Sequence, residues 1–185
     1  MTLSDSELAA YRRDGYLVRE RVFGEAELVK LRGAVENAVA LASRQAKAGK
    51  AYCLDGKRFA DVGNMTVQFE HQPGSDTLRV IEPVQHLNAT LEALVRDDRV
   101  VEPVKSLLGT SAAAVWTNKL NLKRPQEGSG FGWHQDAPYW VHDCTHVGRL
   151  PNAYLAFDDA ALNNGCLGII RGSHLEGCLP GTDDG

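Results

Sequence analysis

Trp133-His134-Gln135-Asp136 is the stretch of this chain whose residue types could do chemistry. His134 and Asp136 stand two apart, so on an extended backbone both side chains leave the same face. An imidazole and a carboxylate on one face can share a divalent cation. Two histidines and one carboxylate on a facial triangle, with coordination positions left open, form the ligand set of non-haem Fe(II) oxygenases. The pair supplies two of those three ligands. The plain alternative is a surface or core-edge histidine with an aspartate neighbour. The setting weighs against it. Gly128, Gly130 and Gly132 lead into the stretch, and Phe131, Trp133, Tyr139 and Trp140 can wall a dry pocket around it.

The elements that must position this pair can be read from periodicity and punctuation. Ser4 to Arg13 reads as a helix, with Ser4 and Glu7 forming a capping box and Gly15 as the stop. Tyr16 to Val18 reads as a short strand. Glu25 to Lys47 reads as a longer helix, with Leu28, Leu31, Val35, Val39 and Ala42 on one apolar stripe. Asp55-Gly56 and Gly63-Asn64 are turn signals for one or two hairpins within 51–82. Leu87 to Arg96 reads as a third helix. A fourth, capped by Asp97 or Asp98, runs to Leu108 and stops at Gly109, with Pro103 near its start or kinking it. From Ala112 the pattern turns to strand: 113–117, 120–122, 153–157 and 166–170, with a turn at Asn163-Asn164-Gly165 and a bend at 171–174. Helices first and closely spaced strands afterwards predict an α+β domain with a β-sandwich or barrel around the site.

Composition narrows the function classes. The chain has 185 residues, is 43% hydrophobic and 24% charged, and carries a formal net charge of -4. That predicts a globular domain with a real core. No Lys/Arg cluster stands out, so nucleic acid is not the expected partner. No run has the roughly 18 apolar residues of a membrane span, and the first residues lack a secretory pattern. Cys53, Cys144, Cys166 and Cys178 are far apart with no C-x-x-C, which predicts reduced thiols in a cytoplasmic protein. His142 and His146 have a zinc-compatible spacing, but Pro138, Gly148 and Pro151 place them in a surface loop.

Three pieces together resemble the phytanoyl-CoA dioxygenase family of Fe(II)- and 2-oxoglutarate-dependent oxygenases. They are Trp133-His134-Gln135-Asp136, the run Asp159-Ala160-Ala161-Leu162-Asn163-Asn164-Gly165-Cys166-Leu167, and Ile170-Arg171-Gly172-Ser173-His174. The opening Asp14 to Val18 is similar to the family's entry as well. The resemblance implies a double-stranded β-helix, a jelly-roll or cupin-like barrel with N-terminal helices packed on one side. It implies one oxygenase domain over 1–185, mostly helical through 111, with the first part of the barrel from 112. His134 and Asp136 would be iron ligands. Asn121 or Lys119 would border 2-oxoglutarate, Tyr154 would lie against it, and Arg79 falls where a relative carries a lysine near the co-substrate. Fe(II) and 2-oxoglutarate are the implied cofactor and co-substrate, and O₂ and a small molecule the other reactants. The implied outcome is hydroxylation of an unactivated C–H bond with release of succinate and CO₂; desaturation or ring chemistry are variants. Retention of Asp136 argues against halogenation.

The family's second histidine ligand and its basic residue for 2-oxoglutarate come downstream of the Gly-Ser-His bend. This reading therefore places them beyond Gly185 and expects the barrel to be incomplete and the chain truncated. His174 is the tempting substitute for the missing ligand, although the family's bend precedes the ligand strand. The rival class is an inactive jelly-roll relative acting as a binding protein, and behind it a cupin-like metal isomerase or hydrolase.

Overall fold

A computed structural model describes residues 2–181. In chain order its helices are α1 (Asp5–Asp14), α2 (Glu25–Ala48), α3 (Ala89–Leu94), α4 (Asp98–Leu108) and α5 (Ala137–Trp140). Its strands are β1 (Ala51–Leu54), β2 (Lys57–Val62), β3 (Met65–Phe69), β4 (Leu78–Glu82) and β5 (Leu120–Asn121). The fold is a mixture of helix and antiparallel sheet. The described residues divide into two compact units, one of 2–22, 97–113 and 131–181, the other of 23–96 and 114–130.

The second unit holds the sheet, an antiparallel meander in the order β1-β2-β3-β4-β5. Its turns follow local chemistry. Asp55 and Gly56 both have positive φ (50° and 73°), the conformation a two-residue hairpin needs. Along β3, burial alternates residue by residue, putting Met65, Val67 and Phe69 on the packed face. Ala60, Leu78 and Ile81 join them, and α2 packs against β2 and β4. The buried side of α2 is Leu31, Ala34, Val35, Ala38, Ala42 and Ala46. Those alanines let the helix axis approach the sheet closely. Fully burying Val67 or Ile81 is worth about 1.5–3 kcal/mol each, so this face dominates the unit's packing.

The expected third helix is divided. Residues 85–87 form a 3₁₀ turn, and Asn88 starts α3 by accepting from the Thr90 N–H at 2.8 Å. An Asn side chain satisfies an orphan donor best at an N-cap, so it begins a helix rather than continuing one.

The first unit is held by caps and long-range hydrogen bonds. Ser4 Oγ accepts from the Glu7 N–H, and Glu7 Oε2 accepts from the Ser4 N–H at 2.8 Å. Arg19 clamps the same carboxylate (3.0 Å). These partners hold the Glu7 carboxyl down to about 2. Asp97 caps α4 and Gly109 closes it at φ 64°. Pro103 lies inside α4. The Leu3 N–H donates to Ser106 Oγ on α4, and Arg149 donates to the Leu108 carbonyl. All four cysteines are free.

Four expected strands differ. Residues 16–18, 113–117, 153–157 and 166–170 lie outside any strand. Strand propensity there is real, but a strand is stabilised by its ladder, and among the described residues no neighbour supplies one. The turn at 163–165 does form. Asn164 Oδ1 accepts from the Ala161 N–H and its amide donates to the Asp159 carbonyl, each at 2.7 Å.

Candidate metal centre

His134 and Asp136 are not on a strand. They sit in the segment that feeds α5, with Asp136 at its N-cap and the Tyr139 N–H donating to the Asp136 carbonyl at 3.0 Å. The side chains nevertheless converge: His134 Nε2 lies 3.5 Å from Asp136 Oδ1. Each is oriented by a second group. His134 Nδ1 donates to the Gly132 carbonyl at 2.7 Å, which leaves Nε2 with a bare lone pair. Asp136 Oδ2 accepts from the Asn152 amide at 2.5 Å, which leaves Oδ1 facing the imidazole. Two acceptor atoms facing each other can share a proton, a water molecule or a metal ion.

The flanking residues pack around this pair. Gln135 donates to the Ser173 and Gly177 carbonyls (3.3 and 3.0 Å) and accepts from the Leu179 N–H (2.8 Å), tying 173–179 to the motif. A Cβ at Gly181 would lie 3.8 Å from His134 Cβ, so the segment runs over the histidine. Gly168 admits the Trp133 indole, whose Cη2 would be 2.9 Å from any Cβ there. Tyr139 stands edge-on to His134 with ring centroids 6.1 Å apart. The aromatic wall is open rather than dry: Trp133 is 50% and Tyr139 67% exposed, and His134 and Asp136 are 40% and 34% exposed. A crevice of about 650 Å³ runs between α2 and residues 72–78 and is lined by none of the candidates.

Among the described residues no group of three His, Cys, Asp or Glu converges. His174 is committed elsewhere: its Nε2 donates to the Arg12 carbonyl at 3.0 Å, and its ring covers Gly15. Tyr154 belongs to the same unit as His134 and is 58% exposed. Lys119 and Asn121 belong to the other unit, both exposed, Asn121 opposite Val80 in the sheet.

Arg79, in that second unit, is 2% exposed. Its guanidinium donates to the carbonyls of Ser129 (2.8 Å) and Gly130 (2.6 Å) and stands 3.7 Å from Glu70 Oε2. Glu70, itself buried, accepts from the Ser129 N–H at 3.1 Å and from its hydroxyl. Burial pushes the Arg79 pKa down and the Glu70 carboxylate opposes it; an arginine stays charged regardless. The pair latches the glycine-rich loop at 129–130.

Three supporting residues carried no signal strong enough to single out from sequence. Gln135 reads as a spacer inside the motif. Glu70 ends an apolar strand where a turn residue would be unremarked. Asn152 has one faint cue, a polar residue after Pro151 at the head of an apolar run.

The chain matches the family model described as Phytanoyl-CoA dioxygenase (PhyH) over residues 11–182. It is 28% identical over 178 residues to ectoine dioxygenase from Bordetella bronchiseptica, covering 94% of this chain and 50% of that protein. To L-proline trans-4-hydroxylase from Streptomyces griseoviridis it is 30% identical over 112 residues, 60% of this chain and 41% of the other. To methylphosphonate hydroxylase from Gimesia maris it is 27% identical over 178 residues, 96% and 60%. The chain spans about half the length of the curated ectoine dioxygenases it matches. With the family model covering nearly all of it, the chain belongs to the phytanoyl-CoA dioxygenase family.

Proposed function

We propose that His134 and Asp136 are two ligands of an Fe(II) site in a 2-oxoglutarate-dependent oxygenase that hydroxylates a C–H bond of a small molecule. The observation that carries this reading is the convergence of His134 Nε2 and Asp136 Oδ1 at 3.5 Å, with the opposite face of each group already bonded. Two donors bound to one first-row cation at about 2.1 Å each lie roughly 3–3.5 Å apart, so the pair fits such an ion. They account for the carboxylate and one histidine of the three-ligand set such sites use. Bound there with 2-oxoglutarate, ferrous iron supplies the O₂ activation that couples decarboxylation of the keto acid, to succinate and CO₂, with oxidation of the substrate.

The chain's own residues do the holding. Gly132 fixes the ligating tautomer of His134. Gln135 ties down 173–179 beside it. Asn121, Lys119 and Tyr154 border 2-oxoglutarate in this proposal. Arg79 supports the loop at 129–130 by donating to that loop's carbonyls. Residues 1–111 and 112–185 work as one oxygenase domain, and the apolar runs 153–157 and 166–170 become strands of a jelly-roll barrel when partner strands pair with them.

The names of the relatives favour an enzyme over a binding protein. Anaerobic titration with Fe(II) and 2-oxoglutarate should give a weak visible charge-transfer band that H134A and D136A abolish. Oxygen uptake in stoichiometry with succinate release should follow. A band that survives in H134A overturns the assignment.

A further inference from the structure

Asp136 has two oxygens and a side-chain torsion with a broad, two-fold preference, so nothing in its own chemistry selects which oxygen meets a cation. It is 34% exposed, and water competes for both. One side chain breaks that symmetry. The Asn152 amide reaches Asp136 Oδ2 at 2.5 Å across sixteen residues of chain. A carboxylate only accepts, so the amide nitrogen faces it. Asn152 is exposed and packs into no core.

The backbone that carries Asn152 is anchored. The 3₁₀ turn Val147–Arg149 ends with the Leu150 N–H donating to the Val147 carbonyl. Arg149 reaches the Leu108 carbonyl at the end of α4, where a cation also meets the negative end of the helix dipole. Pro151 then fixes one backbone torsion just before Asn152.

We propose that Asn152 is a positioning residue for the metal-binding carboxylate. By donating to Oδ2 it holds Oδ1 toward His134 Nε2 and presents one oxygen to the cation. This rests on the reading of His134 and Asp136 as ligands. Partners that hold metal ligands commonly change metal affinity ten- to a hundredfold when removed.

The test uses the full chain and Mn(II) as a redox-silent probe, with the free ion followed by EPR. N152A, and N152L with the amide's shape but no donor, should each weaken Mn(II) binding ten- to a hundredfold at an unchanged melting temperature. N152Q, which keeps an amide on a longer, exposed side chain, should recover most of the affinity. If D136A abolishes binding while N152A and N152L stay within twofold of the unaltered chain, the positioning role is overturned and the ligand assignment stands. If affinity falls only together with the melting temperature, Asn152 is structural and the proposal fails. If H134A and D136A bind Mn(II) as the unaltered chain does, or the chain binds none, the ligand assignment itself fails.

Discussion

Replacing Arg79 with Met keeps the aliphatic stem and removes the guanidinium. The buried Glu70 carboxylate then loses its cation, and the carbonyls of half-buried Ser129 and exposed Gly130 lose a donor that water can replace. The side chains of the ion pair are 2% and 0% exposed, so water cannot take over without opening the loop. Breaking a buried pair by deleting one member costs about 3–5 kcal/mol, because the remaining charge stays uncompensated. Glu70 keeps its bonds to the Ser129 N–H and hydroxyl, which puts the expected loss near the lower end, about 3 kcal/mol. That is a large share of the roughly 5–15 kcal/mol that holds a domain together. Urea unfolding should show a lower midpoint at an unchanged slope. E70Q, which removes the charge and keeps the shape, should cost about 1–2 kcal/mol. In the double variant no charge is stranded, so the loss should fall short of the sum by at least about 1 kcal/mol. An R79M midpoint within about 1 kcal/mol of the unaltered chain, or strict additivity, refutes the latch. A role for Arg79 in gripping 2-oxoglutarate predicts the opposite pattern, weaker co-substrate binding at full stability.

Gly15→Ala should lower the melting temperature by more than a left-handed alanine alone, which costs about 1–2 kcal/mol, because φ is 83° and the new Cβ would be 2.4 Å from His174 Nδ1. H174A in that background should return the steric share, and additive losses would show that the ring does not cover Gly15. His71 governs a pH effect. Burial first, then the nearby Arg79 and Lys57, push its imidazole below the usual value, so the folded state favours the neutral form. Its contribution is complete above about pH 6.5 and is lost as pH falls through the lower folded-state value. H71Q should flatten the urea midpoint between pH 7 and 5, and parallel profiles for the two proteins would sink this account.

What could be read in advance sorts by the range of the interaction. The box of Ser4 and Glu7, the stop at Gly15 and the Asp55-Gly56 turn are decided within four residues, and each formed as expected. The stripe of α2 was legible for the same reason, although burial favours its alanines over Leu28 and Val39. The runs 113–117, 153–157 and 166–170 have the right residues but depend on a partner that propensity cannot name. Arg79 and Glu70 show the same limit in a polar pair. Phe69 opposes Leu78 across the β3–β4 pairing, so the two charges flank one register position. Only the pairing, invisible in a linear string, makes Arg79 a buried arginine.

The resemblance itself divides along this line. His134 and Asp136 are close because they are two residues apart, and their convergence follows from local backbone. The Arg171-Gly172-Ser173-His174 bend does something else. Arg171 donates to Asp14 Oδ1 at 2.7 Å, the Gly172 N–H to the Asp14 carbonyl at 2.9 Å, and His174 to the Arg12 carbonyl at 3.0 Å. Two guanidiniums, Arg13 first and Arg171 second, hold the Asp14 carboxyl well below the usual carboxylate range. Two motifs more than 150 residues apart in sequence are therefore one joint at the end of α1. His174 is a tempting substitute for the missing third ligand, although the family's bend precedes the ligand strand. Its ring is instead spent on closing a helix terminus, where a donor to an orphan carbonyl is what the backbone lacks.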